Sequence, residues 1–177
     1  KKKIKNKINK EKKKYKKKKK IKNIYFFWKF KDYIKKNKGV SLIAEIKKAS
    51  PSAGIILKEF DHLKIAKTYI ENGATCLSVL TEEKYFLGKL KHIQDIKEKF
   101  KIPILAKDFF IDPYQIALSK SFGSDCILII IAALNGSQAD EIYSEALKQN
   151  LSVIVEVHNN KEAEKALKYE QAIIGIN

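Results

Sequence analysis

Four residues of the sequence could do acid-base chemistry: Glu45, Lys47, Lys107 and Glu156. Glu45 and Lys47 stand at i and i+2 in SLIAEIKKASPSAG (41–54), an apolar run that breaks at a Ser-Pro-Ser-Ala-Gly turn. On a strand, that spacing points both side chains to one face. Lys107 follows Ile104, Leu105 and Ala106, and Glu156 shares the strand parity of Ile154 in SVIVEV. If the strands share a cleft, Lys107 meets a second cation in Lys47 and loses part of its water, and both effects lower an amine's pKa toward the range where it donates protons near neutrality. A carboxylate across from the amines could take a proton. Each residue alone reads equally well as half of a salt bridge, and a lone E-x-K is more often a solvated pair on a sheet edge. Two amines and two carboxylates converging on one mouth favour catalysis.

The elements that would bring them together are regular beyond Gly39. Short runs rich in Ile, Leu and Val alternate with amphipathic stretches, the pattern of βα units on a parallel sheet. The expected strands are 41–46, 76–80, 103–106, 125–131, 152–157 and 172–176. Asp61 is an expected helix cap, with Leu63, Ala66, Tyr69 and Ile70 facing inward and Gly73 as the stop. Leu90, Ile93, Ile96 and Phe100 mark a second helix, ended by Pro103. Asp112 before Pro113 opens a third, Ser137 with Asp140 predicts a capping box for a fourth, and Asn160 opens a fifth. A doubly wound sheet and a (β/α)8 barrel both fit this alternation. No strand leads into a glycine-rich phosphate turn, however, while polar residues recur at strand ends: Glu45, Lys47, Thr81, Lys107, Asp108, Glu156, His158 and Asn177. That ring favours the barrel, with six strands present and two lacking before closure.

The charge belongs elsewhere. All 37 basic residues are Lys, and the chain carries +17 overall. Residues 1–40 hold 20 Lys against Glu11 and Asp32, leaving 17 Lys against 18 acids in 41–177. Residues 1–20 are expected to be a disordered, solvated leader rather than a nucleic-acid or membrane contact, since Tyr15 is its one aromatic and it has no Arg for stacking. Residues 21–40 are expected to form an amphipathic helical extension lying on residues 41–177, the catalytic domain; a membrane-surface helix is the rival. Cys76 and Cys126 fall in separate apolar strands, which suits reduced thiols in a cytoplasmic enzyme.

The segments IAEIKKASPSAG (43–54), LSVLTEEKYFLG (77–88), PILAKDFFID (103–112), YQIALSKSFGSDCILII (114–130), VIVEVHN (153–159) and IIGIN (173–177) resemble indole-3-glycerol phosphate synthase, in order and at that family's spacing. The resemblance implies a carboxy-lyase of tryptophan biosynthesis. Such an enzyme closes an indole ring from 1-(2-carboxyphenylamino)-1-deoxyribulose 5-phosphate, with loss of carbon dioxide and water. It implies Lys107 as general acid, with Glu45, Lys47 and Glu156 sharing the later acid and base roles. Lys47 would also meet the substrate's anionic groups, and Asn177 would contact the reacting atoms. Ser50 and Pro51 would lie in a mobile substrate loop, and Phe86, Phe109, Leu80, Leu128 and Ile130 would wall an apolar pocket. No metal or organic cofactor is implied, and His62, His92 and His158 lack a ligand spacing. The implied partner is a small phosphorylated substrate, with a fused or separate enzyme of the same pathway left open.

The family's next rim arginine, just past the terminal G-I-N, and its phosphate cradle on strands seven and eight have no counterpart in the 177 residues. The expectation is a fragment of a longer synthase that binds substrate poorly and turns over little by itself. The alternatives are phosphoribosylanthranilate isomerase, which would want a cysteine where Glu45 and Lys47 stand, and a non-catalytic barrel fragment binding polyanions through its leader.

Overall fold

A computed structural model of the chain describes residues 29–36 and 39–177. The expected leader and the start of the helical extension lie outside the described residues. The elements are α1 (Phe30–Lys36), β1 (Ile43–Ile46), β2 (Ala49–Ser50), β3 (Gly54–Ile55), α2 (His62–Glu71), β4 (Cys76–Leu80), α3 (Leu90–Lys99), β5 (Ile104–Lys107), α4 (Pro113–Ser121), β6 (Cys126–Ile130), a 3-10 turn (Ile131–Ala133), α5 (Gly136–Lys148), β7 (Ser152–Val157), α6 (Asn160–Ala166) and β8 (Ile173–Ile176). Six strands pair in the order β1-β4-β5-β6-β7-β8, each parallel to its neighbours, and β2 and β3 form a small antiparallel hairpin. The six expected strands appear within two residues of their expected bounds; the hairpin was not foreseen.

The two-residue period of the strands sorts their side chains into two cores. One parity, Ala44, Ile46, Leu77, Val79, Ile104, Ala106, Ile127, Ile129, Val153, Val155 and Val157, packs under the helices with Ala66, Ile93, Ile96, Ile116 and Ile142. The other parity puts Cys76, Leu105, Cys126, Leu128 and Ile154 in a second cluster with Ile43, Ile130 and Ile173. This second face is concave. A flat six-stranded sheet at about 4.8 Å per strand would hold β1 and β8 roughly 24 Å apart. Yet Glu45 and Lys47 at β1 and Asn177 just past β8 line one cleft of about 230 Å³. The sheet must therefore curl, as twisted parallel sheets do.

α1 closes the concave face at the strands' N-terminal end. Phe30 is fully buried in the inner cluster, with Tyr33 and Ile34 packed beside it, and a burial of that size contributes on the order of 2–3 kcal/mol. Lys31 fixes the helix to the sheet: its backbone N–H donates to Ser152 Oγ (3.3 Å) and its Nζ to the Gln171 carbonyl (3.0 Å). This helix therefore lies on the sheet and runs to Lys36.

The helix starts follow their caps. Asp61 accepts from the N–H groups of Leu63 and Lys64, and Asp112 with Gln115 forms a complete capping box around Pro113. α5 corrects the expected box at Ser137. Asn135 is the cap, accepting from Gln138 N–H at 2.9 Å, and Ser137 donates its hydroxyl to the same Asn135 oxygen. Asn is as good a cap as Ser, and the one lying just before the first helical turn takes the position. α6 starts likewise from Asn159, one residue ahead of the expected Asn160.

The N-terminal ends of β5 and β6 are tied by a buried ion pair. Lys97 on α3 meets Asp125 Oδ2 at 2.7 Å, with 3% and 0% of the two side chains exposed, and the same oxygen accepts the Ile104 N–H at 2.8 Å. Removing one member strands a buried charge. Asp125→Ala is expected to lower the stability of the protein by about 3–5 kcal/mol, read as a fall in the urea midpoint. Replacing both members with Lys97→Met and Asp125→Leu should recover only part of the loss, because Ile104 N–H stays without its acceptor.

Candidate active site

The cleft opens at the C-terminal edge of the curled sheet. Its lining comprises Glu45, Lys47, Leu80, Glu82, Phe86, Lys107, Asp108, Phe109, Leu128, Ile130, Glu156 and Asn177. Glu45 sits at its centre. One carboxylate oxygen meets Lys47 Nζ and the other meets Lys107 Nζ, each at 2.7 Å. The neighbour that each amine meets is thus a shared carboxylate rather than the other cation. Glu45 is 27% exposed, and its carboxyl is held below its ordinary value. Burial pushes the pKa up, but the hydrogen bonds and charges of Lys107 and Lys47 together outweigh burial and favour the ionised form.

Glu156 stands across the sheet on β7 and makes a different set of contacts. Its carboxylate accepts from the Asn177 amide at 3.2 Å and lies 3.3 Å from His158 Nε2. His158 is anchored from its other ring nitrogen, 3.1 Å from Glu162 at the start of α6. Register explains why these residues meet: Glu156 pairs with Gly175, and Asn177 follows one strand period later on the same face.

The apolar wall is built by two loops. Phe86 and Phe109 face each other with ring centroids 6.4 Å apart, and Leu80, Leu128 and Ile130 complete the lining. Glu82 organises the first loop: its carboxylate accepts the backbone N–H groups of Lys84 (2.9 Å), Tyr85 (2.6 Å) and Phe86 (3.2 Å). Gly88 brings that loop back against β4 so closely that any Cβ would overlap the Leu80 carbonyl. Asp108 organises the second, accepting from Thr81 Oγ (2.7 Å) and Phe109 N–H (2.8 Å), which ties the ends of β4 and β5 together.

Of the twelve residues expected at the site, ten line this one cleft. Ser50 and Pro51 do not. They lie on the β2–β3 hairpin, where Ser50 Oγ accepts the Ala53 N–H at 3.1 Å and Pro51 is exposed. Sequence reasoning placed Asp108 on the polar rim without assigning it to the pocket, and missed Glu82 altogether. Asp108 has the wrong parity for the concave face, but β5 ends at Lys107 and parity lapses there. For Glu82, the signal was an acid followed by residues whose backbone donors no regular element could satisfy. His62 and His92 form a separate half-buried stack on α2 and α3, with ring centroids 4.4 Å apart, away from the cleft. No group of three or more His, Cys, Asp or Glu among the described residues could hold a metal ion.

A family model described as indole-3-glycerol phosphate synthase matches residues 1–177. Among similar proteins, the indole-3-glycerol phosphate synthase of Azospirillum brasilense is 51% identical over 136 residues, 77% of this chain and 52% of its own length. That of Alkaliphilus metalliredigens is 43% identical over 176 residues, 98% of this chain and 67% of its own length. The chain spans about half the length of the curated relatives it matches. In fold it is similar to a dihydropteroate synthase from Coxiella burnetii solved with pteroic acid. That likeness has a TM-score of 0.57 at 16% identity and covers 79% of this chain and 60% of that one.

The bridge at Glu45 has a pH signature. Its folded-state pKa lies below the ordinary glutamate value of 4.5, so its contribution to stability is complete above that value and lost as pH falls through the lowered folded-state value. The difference in thermal midpoint between the protein and Glu45→Gln should be constant from about pH 5 to 8 and shrink below about pH 4.5. A difference that stays constant down to the acid limit of folding would show that the bridge does not stabilise the ionised carboxylate.

Proposed function

The chain belongs to the indole-3-glycerol phosphate synthase family, and from that premise we propose that its cleft is the site at which 1-(2-carboxyphenylamino)-1-deoxyribulose 5-phosphate is closed to indole-3-glycerol phosphate. The six strands are read as staves of a (β/α)8 barrel, with the reaction at the C-terminal edge where such barrels keep their chemistry. The observation that carries this reading is Glu45 bridging Lys47 and Lys107 at 2.7 Å in a cleft walled by Phe86 and Phe109. The two free, buried thiols suit a cytoplasmic setting.

Each step of the ring closure asks for a group that the cleft offers. The anthranilate ring needs an apolar slot, which Phe86, Phe109, Leu80, Leu128 and Ile130 provide. Its ring carbon attacks the ribulose carbonyl, whose oxygen gathers negative charge and takes a proton. Lys107 is the general acid for that proton; Glu45 keeps the amine charged until it turns to the carbonyl oxygen. Carbon dioxide then leaves the attacking ring carbon, and its bonding electrons restore the aromatic ring. Loss of the new hydroxyl as water requires an acid again and a base for a proton of the adjacent ring methylene, whose C–H electrons form the indole double bond. Glu45, Lys47 and Glu156 share these duties. Lys47, on the outer side of the bridge, meets the substrate's anionic groups, and Asn177 orients Glu156 toward the reacting atoms.

Single-turnover mixing of the chain with this substrate, followed by the absorbance of the new indole, registers even slow chemistry. Lys107→Met is expected to slow indole formation about 10²–10⁴-fold while leaving the thermal midpoint nearly unchanged, since Lys107 is 38% exposed. A variant as fast as its parent would remove Lys107 as the general acid. A parent chain that binds substrate and forms no indole would remove catalysis by this chain.

A further inference from the structure

Ser78 is a buried polar group that the chemistry above does not use. It is 5% exposed, and its Oγ meets no hydrogen-bond partner among the described residues. Its place on the sheet gives that hydroxyl a specific neighbour. Ser78 pairs in register with Glu45 on β1 and with Leu105 on β5. Adjacent strands run about 4.8 Å apart, so Glu45 and Ser78 are side-chain neighbours on the concave face. Leu105 offers no polar atom, and Cys76 and Leu80, the next residues of the same parity on β4, offer no strong one. A buried hydroxyl without a partner carries a desolvation cost that Ala would avoid, so packing alone gives no reason for Ser here.

The need for a donor beside Glu45 arises when substrate binds. In the structure both carboxylate oxygens are taken by the two amines. On the reading of the preceding subsection, Lys107 must turn to the carbonyl oxygen and Lys47 to an anionic group, and Glu45 then loses both donors at once. We propose that Ser78 is a positioning residue whose hydroxyl, the buried donor one strand away, bonds the Glu45 carboxylate when the lysines turn to substrate. Ser78 touches no substrate atom itself: it lies below the cleft, one strand period under Leu80. Its hydroxyl holds Glu45 in the ionised form and fixes the rotamer in which the carboxylate faces the reacting atoms. Glu45 therefore changes partners during the cycle without passing through an unpaired state.

The test removes the lysines and reads Glu45 directly, so it needs no turnover. In a Lys47→Met, Lys107→Met protein, the Glu45 carboxyl is titrated by carbon-detected NMR with and without Ser78→Ala. Loss of the hydroxyl is expected to raise the Glu45 pKa by about one unit, and Ser78→Thr, which keeps a hydroxyl, to restore most of the shift. The urea midpoint of Ser78→Ala should equal or exceed that of its parent. A Glu45 titration that does not move overturns the proposal. So does a fall in the midpoint with no movement of the titration, which would make the hydroxyl merely structural. If the double background does not fold, the same comparison in Lys107→Met alone carries the test. A shift found in a chain that forms no indole supports the pairing while the synthase reading fails; turnover without a shift sinks the role of Ser78 and leaves that reading intact.

Discussion

The site depends on a carboxylate that burial would protonate and two amines that keep it ionised. Two ammonium groups drawn to one apolar mouth would repel each other and recover little of their lost hydration. Placing Glu45 between them turns that repulsion into two short charge-assisted bonds. The bridge requires Lys107 on β5 to reach across β4 to β1, a reach that the curl of the sheet shortens. Curvature and charge therefore support each other: the curl brings the groups within reach, and the ion bridge occupies space that the concave face would otherwise have to fill with apolar side chains.

The strands divide their labour along their length. Toward their N-terminal ends the concave face is apolar, filled by Ile43, Cys76, Leu105 and Cys126 and plugged by Phe30 of α1. Toward their C-terminal ends the same parity delivers Glu45, Lys107 and Glu156. The Lys97–Asp125 pair binds the helical layer to the starts of β5 and β6, at the far end from the cleft. The loops at the cleft are held by their own polar side chains: Glu82 gathers the backbone donors ahead of Phe86, and Asp108 with Gln115 fixes the backbone around Phe109.

Much of this was legible in the sequence because strand parity is a local property. Glu45 and Lys47 at i and i+2, and Glu156 in step with Ile154, must share a face whatever the rest of the chain does. The helix caps at Asp61 and Asp112 were legible for the same reason. What could not be read was which charges pair. Lys97 in an exposed-looking helix and Asp125 before a strand have ordinary surroundings in sequence, and a separation of 28 positions conceals a buried pair. The pairing of Glu45 with both amines, rather than the amines with each other, is likewise a property of the curl. Ser50 and Pro51 show the opposite limit: Pro51 and Gly54 announced a turn correctly, but the turn closes on its own hairpin and leaves the cleft to others.

The two carboxylates of the cleft share residue type and face and nonetheless differ in what they can do. Glu45 is fastened to two ammonium groups, so protonating it means giving up both bonds. Glu156 is fastened to an amide and an imidazole, and Glu162 holds that ring in place from its other nitrogen. The geometry thus separates a carboxylate bound by two amines from one bound by an amide and a ring nitrogen. On the proposed reading, ring closure and dehydration draw on both, from opposite sides of the same apolar slot.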